Sequence, residues 1–489
     1  MQKKQKIGFV LGVGVFCVLL LLPVPENMNP LAMKAAAVSA LMAIFWVTEA
    51  VSIFATSFIP IALFPVLGVL DSKQIASSYG HHIVLLILGA FFVAKAIETN
   101  NLHKRIALAT IRAVGTSRQK IILSFMLSTG FLSMWTSNNS TTLMMLPIGM
   151  AILSREQKMG ADISSFAPAM MLSIAYSASI GGTGTLVGTP PNLLFVSTVE
   201  EIFPEAPVLV FTDWLKIGIP FVILFLPITW LYLIKYFQIE GDLKGSSKII
   251  DQEYKNLGPM SNAEKKVSAI VMLYAMGFIF RKWWTAFLGV ESFAKDSTVA
   301  FFAALILFLL PGDRKTDDGK AIPLLSWEDA KEIPWGIAFL IGGGLSIASA
   351  FKSSGLIQWI GGAMNLEGVP IFFIVLLVVF AMVFLTEINS NAATTAVFLP
   401  VLAGIAKAGS IHPYLLMIPA TIAASCAFML PSGTGPNASI LASGKLSIPQ
   451  MAKAGFGLNI LVIIIIVLLL YFIVLPLLDI SHALPIWAI

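Results

Sequence analysis

The stretch "MWTSNNSTTLMMLP" occupies Met134–Pro147, and "TEINSNAATTAVFLP" occupies Thr386–Pro400. These two polar phrases, each set in apolar sequence, decide how the fold is read. Ser137–Pro147 and Ser390–Pro400 share Ser, Asn, a Thr-Thr pair, Leu and Pro at matching places without a gap. Unpaired Ser, Asn and Thr are costly in hydrocarbon. The apolar flanks are "IILSFMLSTGFLSMW" and "LMMLPIGMAIL" for the first phrase, "IFFIVLLVVFAMVFL" and "AVFLPVLAGIA" for the second. Each flank is short for a full span that ends in a polar block. The pattern predicts two re-entrant hairpins, each a helix, a polar tip and a second helix. Such backbone survives at membrane depth only inside protein or against a water-filled cavity. Polar contacts between packed helices would explain one such block more readily than two matched ones.

Two further recurrences lie on either side. Gly188–Asn192 is GTPPN and Gly433–Asn437 is GTGPN. Upstream, "LGAFFVAKAIETNNL", ending at Leu102, resembles "GGGLSIASAFKSSGL", ending at Leu356. Three blocks in one order argue for an internal duplication. The number of crossings between the two copies is odd, so an inverted repeat is expected, a plan that places the site at the repeat interface. The chain divides into a first membrane half (1–239), a polar cytoplasmic linker (240–266) and a second membrane half (267–489).

Composition agrees with a membrane chain. Of 489 residues, 57% are hydrophobic and 12% charged, where soluble domains carry about 25%. Continuous apolar runs such as Ile217–Ile234 and Leu458–Leu475 predict an all-α polytopic membrane protein. A β-barrel would show short alternating strands. The net charge of +5 fits lipid topology. No basic patch is interleaved with aromatics, so no nucleic-acid partner is expected. Cys17 and Cys426 give neither a disulfide framework nor a metal-ligand spacing. The N-terminus resembles a signal peptide but lacks a small-x-small cleavage pattern. It is read as a retained first span, with Lys3, Lys4 and Lys6 in the cytoplasm.

The Gly-Thr-Pro blocks interrupt apolar helices. A restarted half-helix points free N–H groups and its positive dipole end at the gap, a ready anion site. Unwound carbonyls can hold a small cation such as Na⁺. No Arg or Lys falls in either tip or either break. An anion there would be held by hydroxyls, amides and backbone N–H groups, and a bound Na⁺ would offset its charge. Glu49, Lys95, Glu98 and Glu387 are ionisable groups in apolar context, read as hydrogen-bonding or capping residues in preference to proton carriers. His81 and His82 adjoin, but two ligands fall short of a metal site. No nucleophile–base or metal constellation points to an enzyme. A passive channel would not need matched helix breaks.

The paired Ser-Asn hairpins, each followed by a Gly-Thr-Pro-Asn-like break, resemble the divalent anion/sodium symporter family of dicarboxylate, citrate and sulfate carriers. "FWVTEAVSIFATSFIPIALFPVLGVL" and "NNLHKRIAL" fit the same pattern, and the resemblance runs from about Leu31 to the C-terminus. It implies a homodimer of about eleven spans per chain, in which a unit holding both hairpins moves as an elevator against a fixed scaffold. It implies Na⁺ as coupling ion, no organic cofactor, and Na⁺-coupled symport of a di- or tricarboxylate or another divalent anion. Exchange of one anion for another on the same fold is the alternative. Carried over by position, one Na⁺ would sit among Ser133, Ser137, Asn138 and Gly188. A second would sit among Thr386, Asn389, Asn391 and Gly433. Substrate would meet Ser137, Asn138, Asn139, Thr189, Ser390, Asn391 and Thr434, with Ala392 and Gly435 beside them. Asn139, Ala392 and Gly435 depart from the family pattern, which has Thr, Thr and Pro there. The expected setting is the lipid bilayer of a bacterial cytoplasmic membrane.

Overall fold

The computed structural model describes residues 3–115, 117–243, 252–363 and 368–489. Part of the segment read as a linker, 244–251, lies outside them. Its C-terminal end is already helical: Ser261 caps Asn262–Ile279 in a reciprocal box with Glu264, and Arg105 pairs with that carboxylate at 2.8 Å.

Helices dominate, and the one sheet among the described residues is a short antiparallel pair, Pro311–Lys315 with Ala321–Pro323. Among the described residues, eight helices are long and apolar enough to cross a membrane by length and composition. The expected eleven spans reach beyond these eight, partly because some helices are broken. Phe166–Gly182 stops at a break and resumes as Pro190–Ile202; Pro413–Ala424 stops and resumes as Gly435–Ala442. At 1.5 Å per residue, none of these pieces alone spans about 30 Å of hydrocarbon.

The order of elements recurs. The first series is His82–Thr99, the amphipathic Leu102–Val114, the arms Arg118–Ser133 and Asn138–Lys158, the broken pair, then Phe211–Tyr236. The second is Gly336–Ser354, Leu356–Ala363, the arms Ile371–Ile388 and Asn391–Ala408, the broken pair, then Ile448–Leu469. Packing between the series is crosswise. Pro190–Ile202, from the first, packs on Asn391–Ala408 and Pro413–Ala424 of the second; Gly435–Ala442 packs on Asn138–Lys158 and Phe166–Gly182 of the first. This interlocked group of hairpins, broken helices and the two long helices that follow them is called the hairpin unit below.

A second group serves as a frame: Pro30–Thr48, His82–Thr99, Asn262–Ile279, Asp296–Leu309 and Gly336–Ser354. The frame meets the hairpin unit unequally. Gly336–Ser354 lies against both Asn391–Ala408 and Pro190–Ile202. A Cβ on Gly344 would stand 2.8 Å from the Ala396 methyl, so only glycine permits that approach. A cavity stands between the first hairpin tip and residues of His82–Thr99 and the start of Gly336–Ser354.

Candidate functional site

The two tips face one cavity of about 470 Å³. It is lined by Ser137, Asn138 and Asn139 of the first tip, Ser390, Asn391 and Ala392 of the second, Gly188 and Thr189 of the first break, and Gly433, Thr434 and Gly435 of the second. The frame supplies an apolar wall of Phe54, Ile87, Phe91, Ile337 and Leu340, with Glu49 and Glu332 also lining. No Lys or Arg is among the lining residues. Lys95, in an adjoining recess, is held by Glu332 at 2.7 Å and Glu98 at 3.2 Å.

Four helices begin at this wall: Asn138–Lys158, Pro190–Ile202, Asn391–Ala408 and Gly435–Ala442. Their N-terminal dipole ends converge on the cavity, and each supplies about half a positive charge. Ser137 spends its hydroxyl on its own helix, accepting from Ser140 N at 3.1 Å. Thr434 caps likewise, accepting from Asn437 N at 3.2 Å. Thr189 and Ser390 stand at the equivalent N-cap positions and make no such bond.

Behind each tip lies a knot of oxygens. Ser133 Oγ is 2.7 Å from Asn138 Oδ1 and 2.8 Å from the Ala178 carbonyl. Thr386 Oγ1 is 2.7 Å from Asn391 Oδ1 and 2.7 Å from the Ala424 carbonyl. The geometry repeats between the two halves almost to the decimal. One hydroxyl proton cannot serve two acceptors, so a knot whose amide turns its oxygen inward holds an excess of oxygen. The Asn391 amide sharpens the point. Its inward atom lies 2.7 Å from Thr386 Oγ1, 3.1 Å from Ala424 O and 3.3 Å from Gly433 O. With nitrogen inward the amide donates to these oxygens; with oxygen inward it completes a set that suits a small hard cation, which prefers oxygen ligands.

The second residue of each tip and the Ser or Thr five positions before it thus lie together, and Gly188 and Gly433 line the same cavity as the tips. Asn389 does something else: its Oδ1 accepts from Ser390 N at 2.9 Å and shapes the turn. The Ala178 and Ala424 carbonyls were not foreseen; no side chain marks them in the sequence. Asn192 and Asn437, the last residues of the GTPPN and GTGPN blocks, hold the breaks open. Asn192 Nδ2 donates to the carbonyls of Thr185 (2.7 Å), Gly182 (3.3 Å) and Thr183 (3.4 Å). Asn437 Nδ2 donates to Leu430 (3.0 Å) and Ala427 (3.1 Å).

Glu387 is the ionisable group most deeply tied to the site. Its carboxylate accepts from Phe428 N (2.7 Å), Met429 N (2.9 Å), Leu430 N (2.9 Å) and Asn459 Nδ2 (2.7 Å). It replaces the helical hydrogen bonds that the second, longer break gives up. Met134 occupies the matching place in the first half, where its carbonyl accepts from Thr185 Oγ1 at 2.5 Å. The expected capping role therefore holds for Glu387, while Lys95 and Glu98 pair with each other. Glu49 sits at the C-cap of Pro30–Thr48 in the left-handed region, φ 51°.

The departures at positions 139 and 435 are physically linked. Asn139 Oδ1 accepts from Ser439 Oγ at 3.1 Å. A Cβ on Gly435 would come within 2.8 Å of that same oxygen. The larger amide thus fits because position 435 has no side chain, and Ser439 fixes which way it turns. Ala392, in the second tip, leaves a methyl where its counterpart in the first tip carries an amide.

Comparison with known proteins places this geometry. The family described as the sodium:sulfate symporter transmembrane region matches residues 3–478. The sodium-dependent dicarboxylate transporter SdcS of Staphylococcus saprophyticus is 41% identical over 494 residues, covering 99% of this chain and 94% of that protein. SdcS of Staphylococcus aureus is 41% identical over 495 residues with the same coverage. Among solved structures, Neisseria gonorrhoeae MtrF, described with a class of antimetabolite efflux pumps, superposes with a TM-score of 0.56 at 12% identity, over 97% of this chain and 96% of its own. The Alcanivorax borkumensis YdaH transporter gives 0.54 at 10% identity, over 95% and 98%. These two likenesses concern the fold.

Proposed function

The chain belongs to the sodium:sulfate symporter family, and from that premise we propose that it carries a dicarboxylate together with Na⁺ across the membrane. The observation that carries the proposal is the pair of oxygen knots flanking one cavity that offers no fixed cation. A dianion in that cavity would meet hydroxyls, the amides of Asn138, Asn139 and Asn391, and four helix N-termini. The summed dipole charge is about +2, comparable to two carboxylates. Na⁺ at Ser133–Asn138 and at Thr386–Asn391 would add positive charge on both sides and stiffen both tips. Each ligand then improves the site for the other, which is the thermodynamic content of coupling. The names of the relatives, sodium-dependent dicarboxylate transporters, point the same way.

In this reading the recurrence of elements is an inverted repeat, and each broken pair adds one further span. The hairpin unit moves as an elevator against the frame, two chains associate through their frames, and the N-terminus is cytoplasmic.

The test is uptake of labelled succinate by purified protein in liposomes, with an inward Na⁺ gradient or choline in its place. We expect uptake at least tenfold faster with Na⁺. An inside-negative potential should speed it further if more than two Na⁺ accompany the dianion, since each net charge gains ~2.3 kcal/mol per 100 mV. Equal uptake in choline would overturn the coupling and leave anion exchange.

A further inference from the structure

His81 and His82 stand at the junction between Ser72–Tyr79 and His82–Thr99. Glu200 stands in the last turn of Pro190–Ile202, on the hairpin unit. The fold brings the three together. His82 Nε2 is 2.8 Å and His81 Nε2 3.7 Å from the same oxygen, Glu200 Oε2. One ligand atom from each residue lies within 4.8 Å of the other two, and all three side chains are half-buried. The imidazole rings lie 4.4 Å apart at 33°.

An ion pair needs one imidazole. Here a second converges on the same oxygen without reaching it. Two imidazole nitrogens and a carboxylate are the donor set of a borderline divalent cation such as Zn²⁺, which binds at ~2.0–2.2 Å with tetrahedral preference. Donors around such an ion stand roughly 3.4 Å apart, and the observed separations straddle that value. His82 Nδ1 is buried without a hydrogen-bond partner, and the Glu200 carboxylate holds the ring proton on Nε2, the atom a cation would take over. His81 Nδ1 accepts from Ile83 N at 3.4 Å, a long bond that metal binding through Nε2 would give up. The adjacent Asp296 is committed to Arg281 at 2.7 Å and Phe211 N at 3.0 Å.

We propose that His81, His82 and Glu200 form a binding site for Zn²⁺ or a similar divalent cation, with water as the fourth ligand. A cation there fastens the half-helix Pro190–Ile202 to the frame and holds the hairpin unit in place. This second part rests on the elevator reading above; the site itself does not.

The experiment is calorimetric titration of Zn²⁺ into the full chain in detergent, with any histidine tag removed. Wild type should bind one Zn²⁺ per chain with proton release, and excess Mg²⁺ should not displace it. Glu200→Gln and His82→Gln should each weaken binding at least tenfold, with melting temperatures recorded to show that both fold. No uptake of Zn²⁺ by wild type, or equal affinity in all three proteins, would overturn the site. In liposomes, saturating Zn²⁺ on both faces should slow wild-type succinate uptake at least fivefold, spare Glu200→Gln, and be reversed by EDTA. Site-specific binding with unchanged uptake would uphold the site and overturn the fastening.

Discussion

At the scale of single residues, Asn139, Gly435 and Ser439 carry a testable coupling. Gly435→Pro suits the first turn of a helix but drives a ring into the Asn139 amide. Overpacking of this kind costs ~1–3 kcal/mol. Uptake of succinate by Gly435→Pro should therefore fall about tenfold, and Asn139→Thr in the same chain should recover most of it. Equal losses in the single and double variants would show that the two positions do not share space. The departures themselves were legible in the sequence as departures. Their link was not, because a contact across 300 positions exists only once the fold has closed. Glu387 makes a second case. Gln can keep its shape, but its amide nitrogen cannot accept, which leaves buried N–H groups unpaired at ~1–3 kcal/mol. The melting temperature in detergent should drop in the order wild type, Glu387→Gln, Glu387→Ala. An alanine variant as stable as wild type would remove Glu387 from the account.

At the scale of elements, the tips and breaks were readable because polar residues in apolar sequence demand an explanation. The amide ties that keep the breaks unwound were less so. Asn192 serves three carbonyls and Asn437 two. Each amide has two protons to donate, so Asn192→Ala and Asn437→Ala should destabilise to a similar degree, and both should abolish uptake by letting the break collapse. Thermal melts with and without Na⁺ would check this: the Na⁺-induced rise in melting temperature should vanish in both. A full Na⁺ shift in Asn192→Ala would show that the first break does not depend on that side chain. The span count resisted the sequence for a related reason. Hydropathy windows find long unbroken helices, and Phe166–Gly182 and Pro413–Ala424 are short because they stop at the site. The Ala178 and Ala424 carbonyls were invisible outright, since every residue carries a carbonyl and only the closed fold brings these two to the knots.

At the scale of the molecule, the repeated motifs marked a recurrence but not how its two copies interlock. The crosswise packing of each half-helix on the other half's hairpin places both tips on one cavity. Under the proposed function, such an arrangement would make Na⁺ and dicarboxylate binding interdependent, and linkage requires the effect to be reciprocal. The most direct measurement is equilibrium binding of succinate to purified protein by calorimetry across a series of Na⁺ concentrations at constant ionic strength, with choline as the replacement. Succinate affinity should rise at least tenfold from choline to saturating Na⁺. Asn138→Ala and Asn391→Ala should each abolish that rise while the protein remains folded. Succinate binding of the same strength in choline and in Na⁺, or an undiminished Na⁺ effect in both asparagine variants, would contradict the account.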